Sequence, residues 1–156
     1  LIGRDLVTLH RVIEACIRFK AEVVSDDEIE TTGRRATLNF GHTLAHVLEA
    51  LWPERWLHGE AVSIGIIAAL RLSVARAKLD ESVAARVTGL LRKFGLPTVV
   101  PDELQARQML ECMSADKKRA GQAVHFVVIS DVGQAGTLPC KLDDELAATL
   151  LGRGDA

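Results

Sequence analysis

The sequence has little cysteine, little net charge and no long hydrophobic run, and each shortage excludes something. Cys16, Cys112 and Cys140 are odd in number and far apart, so they read neither as a disulfide framework nor as paired metal knuckles, and a reducing cytoplasm is the simplest setting. A formal charge of −2 and a pI near 6.2 give nucleic acid and anionic membranes no electrostatic foothold, so neither is expected as a partner. The most apolar stretch, residues 61–70, is interrupted by Ser63 and Gly65 and followed by Arg71, which makes it too short to span a bilayer. No secretory signal is read at the start, and there is no internal repeat or low-complexity tract. The first residue is Leu1 and a helical pattern begins at once, so the expectation is a piece of a longer polypeptide.

What is present is an ordinary globular composition. With 156 residues, 48% hydrophobic and 26% charged, the chain suits a single soluble domain with a genuine core. Residues 5–24 place Leu6, Leu9, Ile13, Ile17 and Phe19 near helical spacing. After the polar break "SDDEIETTGRR", a second apolar period at Leu38, Leu44, Val47, Leu48 and Leu51 predicts a helix that ends before Pro53. Residues 60–77 are apolar on nearly every side, which predicts a helix buried at the centre of the fold. Residues 82–94 give an amphipathic helix stopped by "GLP". "PDELQARQMLECM" opens with a proline and acids that suit a helix start and predicts a shorter helix. The texture then changes: "AVHFVVIS" and "QAGTLPCKL" flank the turn signal "DVGQAG", which predicts a small β-hairpin near residues 123–141. "DDELAATLLG" predicts a last helix capped by Asp143 or Asp144. The fold class is therefore mainly α, multi-helical, with one hairpin.

Chemistry concentrates in "LNFGHTLAHVLEALWPERWLHGEAVSIG", residues 38–65, which holds three of the five histidines. Four residues apart on a helix, His42 and His46 share a face, and Glu49 continues it. Such a pair can grip a metal or a phosphate, or simply be two hydrogen-bonded helix histidines. A zinc-protease site is discounted, because the position after the first histidine is Thr43 where that chemistry needs glutamate. His58 follows the helix break, where a chain reversal, if the loop makes one, would bring its ring back over the His42 face. Two imidazoles on zinc need a third protein ligand, usually a carboxylate. Spacing leaves both Glu49 and Glu60 open for it, beside their plainer reading as solvated or hydrogen-bonded helix residues.

Four ordered segments carry a family resemblance. "FKAEVVSDDE", "LNFGHTLAHVLEA", "WLHGEAVSIGI" and "MSADKKRAG" followed by "HFVVISDVGQAG" resemble the carboxy-terminal domain of 3-dehydroquinate synthase in order and separation. The resemblance covers nearly the whole chain. It implies a helical metal- and substrate-binding domain that follows an amino-terminal NAD-binding domain, with the active site between them in an enzyme that is usually a homodimer. The implied reaction turns 3-deoxy-D-arabino-heptulosonate 7-phosphate, a small-molecule sugar phosphate, into 3-dehydroquinate and phosphate in the shikimate pathway. Its sequence is oxidation of a ring alcohol by NAD, loss of phosphate, reduction, ring opening and aldol closure.

By the same resemblance, His42 and His58 are the two histidine ligands of zinc, or of another divalent metal such as cobalt. His46 is implied as a catalytic histidine near the phosphate, and Asn39 faces the phosphate as well. Lys20 and Arg35 hold substrate oxygens, including the carboxylate, and one of Lys117 and Lys118 reaches the phosphate. Glu30 matches an active-site glutamate when counted from Lys20, but counted from His42 that place falls on Thr31, so the chain carries one extra residue before Arg35. Ala45 stands where the family most often has glycine. Glu60 is expected to orient a ligand or the helix start. The third zinc ligand is a glutamate further upstream than this chain reaches, NAD has no site here, and the isolated chain is expected to be inactive. Two alternatives remain: another sugar-phosphate cyclase, or a non-catalytic domain acting as a binding module.

Overall fold

The computed structural model describes residues 5–29, 33–120 and 124–153, and in the last helix turn before residue 121 only the backbone. The element order is α1 (Leu6–Asp26), a 3-10 turn (Arg35–Asn39), α2 (His42–Leu51), α3 (His58–Ala77), α4 (Glu81–Lys93), α5 (Ala106–Ala120), β1 (Val124–Asp131), β2 (Gln134–Cys140) and α6 (Asp144–Leu151). The mainly α class with one antiparallel hairpin is as the sequence implies. Phe126 pairs with Leu138 and Val128 with Gly136, and Gly133 supplies the positive φ, 81°, that the tight turn requires. No helix among the described residues is long and apolar enough to cross a membrane.

The central helix is α3, as its apolar composition predicts. It buries Ala61, Ile64, Ala68 and Leu72 in one core with Leu44 and Leu48 of α2, Met109 of α5, Phe126 of β1, and Leu146 and Leu150 of α6. Each such Leu or Ile, fully removed from water, contributes about 1.5–3 kcal/mol. Polar side chains of α3 tie the outer elements to it. Ser73 Oγ donates to Ala69 O at 2.7 Å and accepts from the N–H of Ile129 at 3.1 Å, which fixes the hairpin. Arg71 donates to Leu150 O at 3.1 Å across the α6 interface, and burial lowers its pKa from the usual arginine value.

The second helix differs from expectation at its start. Its apolar period suggests continuity from Leu38, but residues 35–39 form the separate 3-10 turn and Gly41 reverses the chain with φ of 82°. Asn39 therefore does not lie one α-turn before His42. The reason is tertiary: α2 crosses α3 backbone to backbone. A Cβ on Gly65 would overlap the Gly41 carbonyl, and one on Gly41 would lie 2.6 Å from Ile66 N. Both positions need glycine.

A second correction concerns α5. It begins at Ala106, not at Pro101, and at 15 residues it is longer than the 13-residue α4. Residues 101–104 form a turn, closed by Leu104 N–H to Pro101 O at 3.1 Å. Arg153 holds that turn from outside, donating to the carbonyls of Leu104, Pro101 and Asp102 at 3.2, 3.3 and 2.8 Å. Of the two acids offered for the last cap, Asp143 serves, accepting from Leu146 N at 3.0 Å.

The first helix forms where its pattern predicts, with Asp5 as N-cap, yet its apolar face is uncovered. Leu6, Ile13 and Ile17 are 74%, 49% and 64% exposed, and Val23 is the buried residue of the helix. It meets the 3-10 turn at its carboxy-terminal end.

Candidate metal and substrate site

Two helix starts meet at the histidines. His42 is the first residue of α2 and His58 the first of α3, and residues 52–57 reverse the chain between the helices. Arg55 stacks between Trp52 and Trp56, with its guanidinium carbon 5.1 Å from each ring, and pairs with Glu103 at 3.1 Å. That stack sets the geometry of the reversal. The His42 ring then lies 5.4 Å from that of His58 and 5.8 Å from that of His46, centroid to centroid, both edge-on. His46 and His58 are exposed and His42 is half-buried.

The ring nitrogens are not equivalent. His42 Nδ1 lies 3.3 Å from Phe40 O, and His58 Nδ1 lies 2.8 Å from Glu49 Oε1. Each neighbour is an acceptor, so each Nδ1 is the donor nitrogen, and in the neutral ring Nε2 keeps the lone pair. Two imidazoles whose Nε2 atoms have no hydrogen-bond partner among the described residues fit a first-row divalent metal. Among the described residues no group of three or more His, Cys, Asp or Glu side chains is arranged to hold one. Glu60 is committed elsewhere: its Oε2 accepts from Leu57 N at 3.0 Å and caps α3.

The remaining sequence candidates sit around this corner. Arg35 is half-buried on the 3-10 turn; its backbone N donates to Asp27 Oδ2 and its Nη1 to Glu28 O, both at 3.0 Å. Asp27 is itself buried, so the corner joining α1 to the turn is fixed by a carboxylate inside the protein. Asn39 is exposed at the end of the turn, and Lys20 is exposed on α1. Neither Lys20 nor Asn39 hydrogen-bonds a histidine among the described residues. Glu30 lies outside the described residues, and Lys117 and Lys118 are placed on α5 by their backbone alone. Sequence reasoning missed the link from Glu49 to His58, because the nine-residue separation spans a loop and follows no helical period.

Comparison with known proteins begins with the fold, which matches that of two solved synthases. One is a 2-deoxy-scyllo-inosose synthase solved with carbaglucose-6-phosphate, NAD+ and Co2+, with a TM-score of 0.74, 21% identity and coverage of 93% of this chain and 41% of that one. The other is the 2-epi-5-epi-valiolone synthase of Streptomyces hygroscopicus subsp. jinggangensis, solved with NAD+ and Zn2+, with a TM-score of 0.72, 26% identity and coverage of 94% and 39%. Within that fold class, the chain belongs to the family described as 3-dehydroquinate synthase C-terminal, whose profile matches residues 1–119. It is 37% identical over 155 residues to a 3-dehydroquinate synthase of Coxiella burnetii and 40% identical over 152 residues to one of Dichelobacter nodosus. The matches cover 99% and 96% of this chain but only 43% and 41% of those proteins, so the chain spans less than half the length of these relatives.

Proposed function

We propose that this chain is the metal- and substrate-binding part of a 3-dehydroquinate synthase, converting 3-deoxy-D-arabino-heptulosonate 7-phosphate to 3-dehydroquinate and phosphate together with an NAD-binding domain. The observation that carries this reading is the pairing of His42 and His58, two rings 5.4 Å apart with both Nδ1 atoms engaged and neither Nε2 hydrogen-bonded among the described residues. The names of the relatives supply the reaction, and the synthases solved with NAD+ and Co2+ or Zn2+ supply the cofactor class.

In this reading the Nε2 atoms of His42 and His58 would hold zinc or cobalt, with a carboxylate from outside the described residues; a metal there would supply Lewis acidity to the hydroxyl that is oxidised, and NAD would supply the hydride chemistry. His46, a turn from His42 and open to solvent, accepts or returns a proton at the phosphate edge. The start of α2 has no side-chain cap at Gly41, and the N–H groups of a helix start favour an anion there. Arg35 and Lys20 hold the substrate carboxylate and hydroxyls, Asn39 and one of Lys117 and Lys118 hold the phosphate, and Glu30 assists proton transfer. The uncovered apolar stripe of α1 is where the NAD-binding domain seats, so the chain alone is inactive. The whole enzyme works as a cytoplasmic homodimer.

The test is an enzyme extended upstream by its own NAD-binding domain, supplied with zinc and NAD and followed by dehydroquinate and phosphate formation. Turnover that His46→Ala abolishes is the expected result; a well-folded extended protein that makes no dehydroquinate would overturn the reading. The fold matches favour a second substrate class, sugar phosphates without a carboxylate, and turnover of glucose 6-phosphate or sedoheptulose 7-phosphate in its place would establish it.

A further inference from the structure

We propose that Glu49 is a positioning residue of the metal site, holding the His58 proton on Nδ1 and aiming Nε2 at the metal, and that it is not itself a ligand; this rests on the reading of His42 and His58 as metal ligands. Glu49 lies on the α2 face that carries His42 and His46, three residues after His46. Its Oε1 is 2.8 Å from His58 Nδ1. The His58 side chain is 62% exposed and that of Glu49 only 32%, so the less exposed partner is the carboxylate.

Among the described residues, the ring and hydrogen-bond partners of His58 are the edge of His42 at 5.4 Å and the Glu49 carboxylate, and its side chain is exposed at the start of α3. Glu49 therefore does for His58 what the Phe40 carbonyl does for His42. A carboxylate on the far nitrogen fixes both tautomer and ring orientation and makes the ligating nitrogen a better donor.

The same geometry excludes Glu49 as the third ligand. Nδ1 faces Oε1 at 2.8 Å and Nε2 lies on the far side of the ring, so a metal held by Nε2 would be separated from the Glu49 carboxylate by the ring itself. Glu60 is occupied in capping α3, so neither local glutamate completes the site.

The experiment uses this chain with 15N-labelled histidine, at about pH 8 where imidazoles are neutral. Long-range 1H–15N spectra report which nitrogen carries the proton. The metal-free wild type should show His58 protonated on Nδ1, and Glu49→Ala should move it to the mixture seen for free histidine. Added zinc should then shift Nε2 of both His42 and His58, with a half-saturation concentration 10–100-fold higher in Glu49→Ala. Glu49→Gln, which keeps a neutral acceptor, should fall between. An Nε2-protonated His58 in the wild type, or an unchanged tautomer and zinc midpoint in Glu49→Ala, would overturn the assignment, as would a Glu49 carboxylate 13C signal that reports direct zinc coordination. If zinc shifts neither ring while the tautomer result holds, the metal-ligand reading fails and the pairing of Glu49 with His58 stands.

Discussion

The hydroxyl of Ser73 accepts the backbone N–H of Ile129 at 3.1 Å, joining the central helix to the strand that carries Phe126 into the core. Ser73 is fully buried, and its own proton goes to Ala69 O at 2.7 Å. Ser73→Ala leaves the Ile129 N–H without this acceptor. The expected loss is about 1–3 kcal/mol of stability. Hydrogen exchange should locate it, with the Ile129 amide exchanging faster while amides in α2 keep their protection in proportion to global stability.

Two glycine substitutions should move stability in opposite directions. Helix propensity favours alanine over glycine by about 0.8–1 kcal/mol. At Gly89 in α4 a Cβ meets nothing within 4 Å, so Gly89→Ala should raise the unfolding free energy by roughly that amount. At Gly65 the Cβ would overlap the Gly41 carbonyl, so Gly65→Ala should destabilise by about 1–3 kcal/mol despite its better propensity. Urea unfolding of the two variants decides the matter, and weakened ring-to-ring NMR contacts between His42 and His58 in Gly65→Ala would show that the same crossing sets the site.

Arg55 and Glu103 form an ion pair, but their contributions should be unequal. Arg55 stacks on two indole rings, at about 0.5–1 kcal/mol each for exposed cation–π contacts, so Arg55→Ala should cost about 1–2 kcal/mol. Glu103 is exposed, and exposed pairs add little. Glu103→Ala should leave the melting midpoint almost unchanged, and a loss equal to that of Arg55→Ala would contradict the stacking account.

The thiols should separate by reactivity and by pH. Cys16 is exposed and Cys140 is buried, and desolvation pushes the Cys140 thiol above its usual pKa, partly offset by Arg76. A chromogenic disulfide should modify Cys16 in the native chain and reach Cys140 only on unfolding. A raised folded-state pKa stabilises below the unfolded value of about 8.5 and loses that contribution as pH climbs. Stability should therefore fall above about pH 8.5, and Cys140→Ala should flatten that alkaline slope.

The helices were legible because apolar residues recur at helical spacing, whether the stripe is buried, as in α2, or open, as in α1. The hairpin was legible because Phe126, Val127 and Val128 are β-branched or aromatic and a glycine turn follows. What could not be read depends on residues far away in the chain. The start of α5 is delayed because Arg153, 49 residues beyond Leu104, holds residues 101–104 as a turn. The break before α2 arises from the Gly65 backbone, which no local pattern around Leu38 encodes. At the site, the shared face of His42 and His46 followed from spacing. The approach of His58 needed the loop to be folded, and the choice between Glu49 and Glu60 needed coordinates, since both are acidic residues at plausible separations. Nor could periodicity tell that the apolar face of α1 lies open, because an amphipathic pattern records that a face is to be covered and not by what.

The backbone contact of Gly41 with Gly65 also bears on how such a site can change by mutation. Side chains usually offer graded adjustment, a methylene more or less to shift one helix against another. At this crossing there are none to trim, so any substitution is a jump to a clash and not a small step. Variation that widens or narrows the gap between His42 and His58, for another metal or a bulkier sugar, has to enter through residues 52–57, where the tryptophan-stacked arginine sets the reversal. The part of the site most open to retuning is thus the loop that joins its two helices.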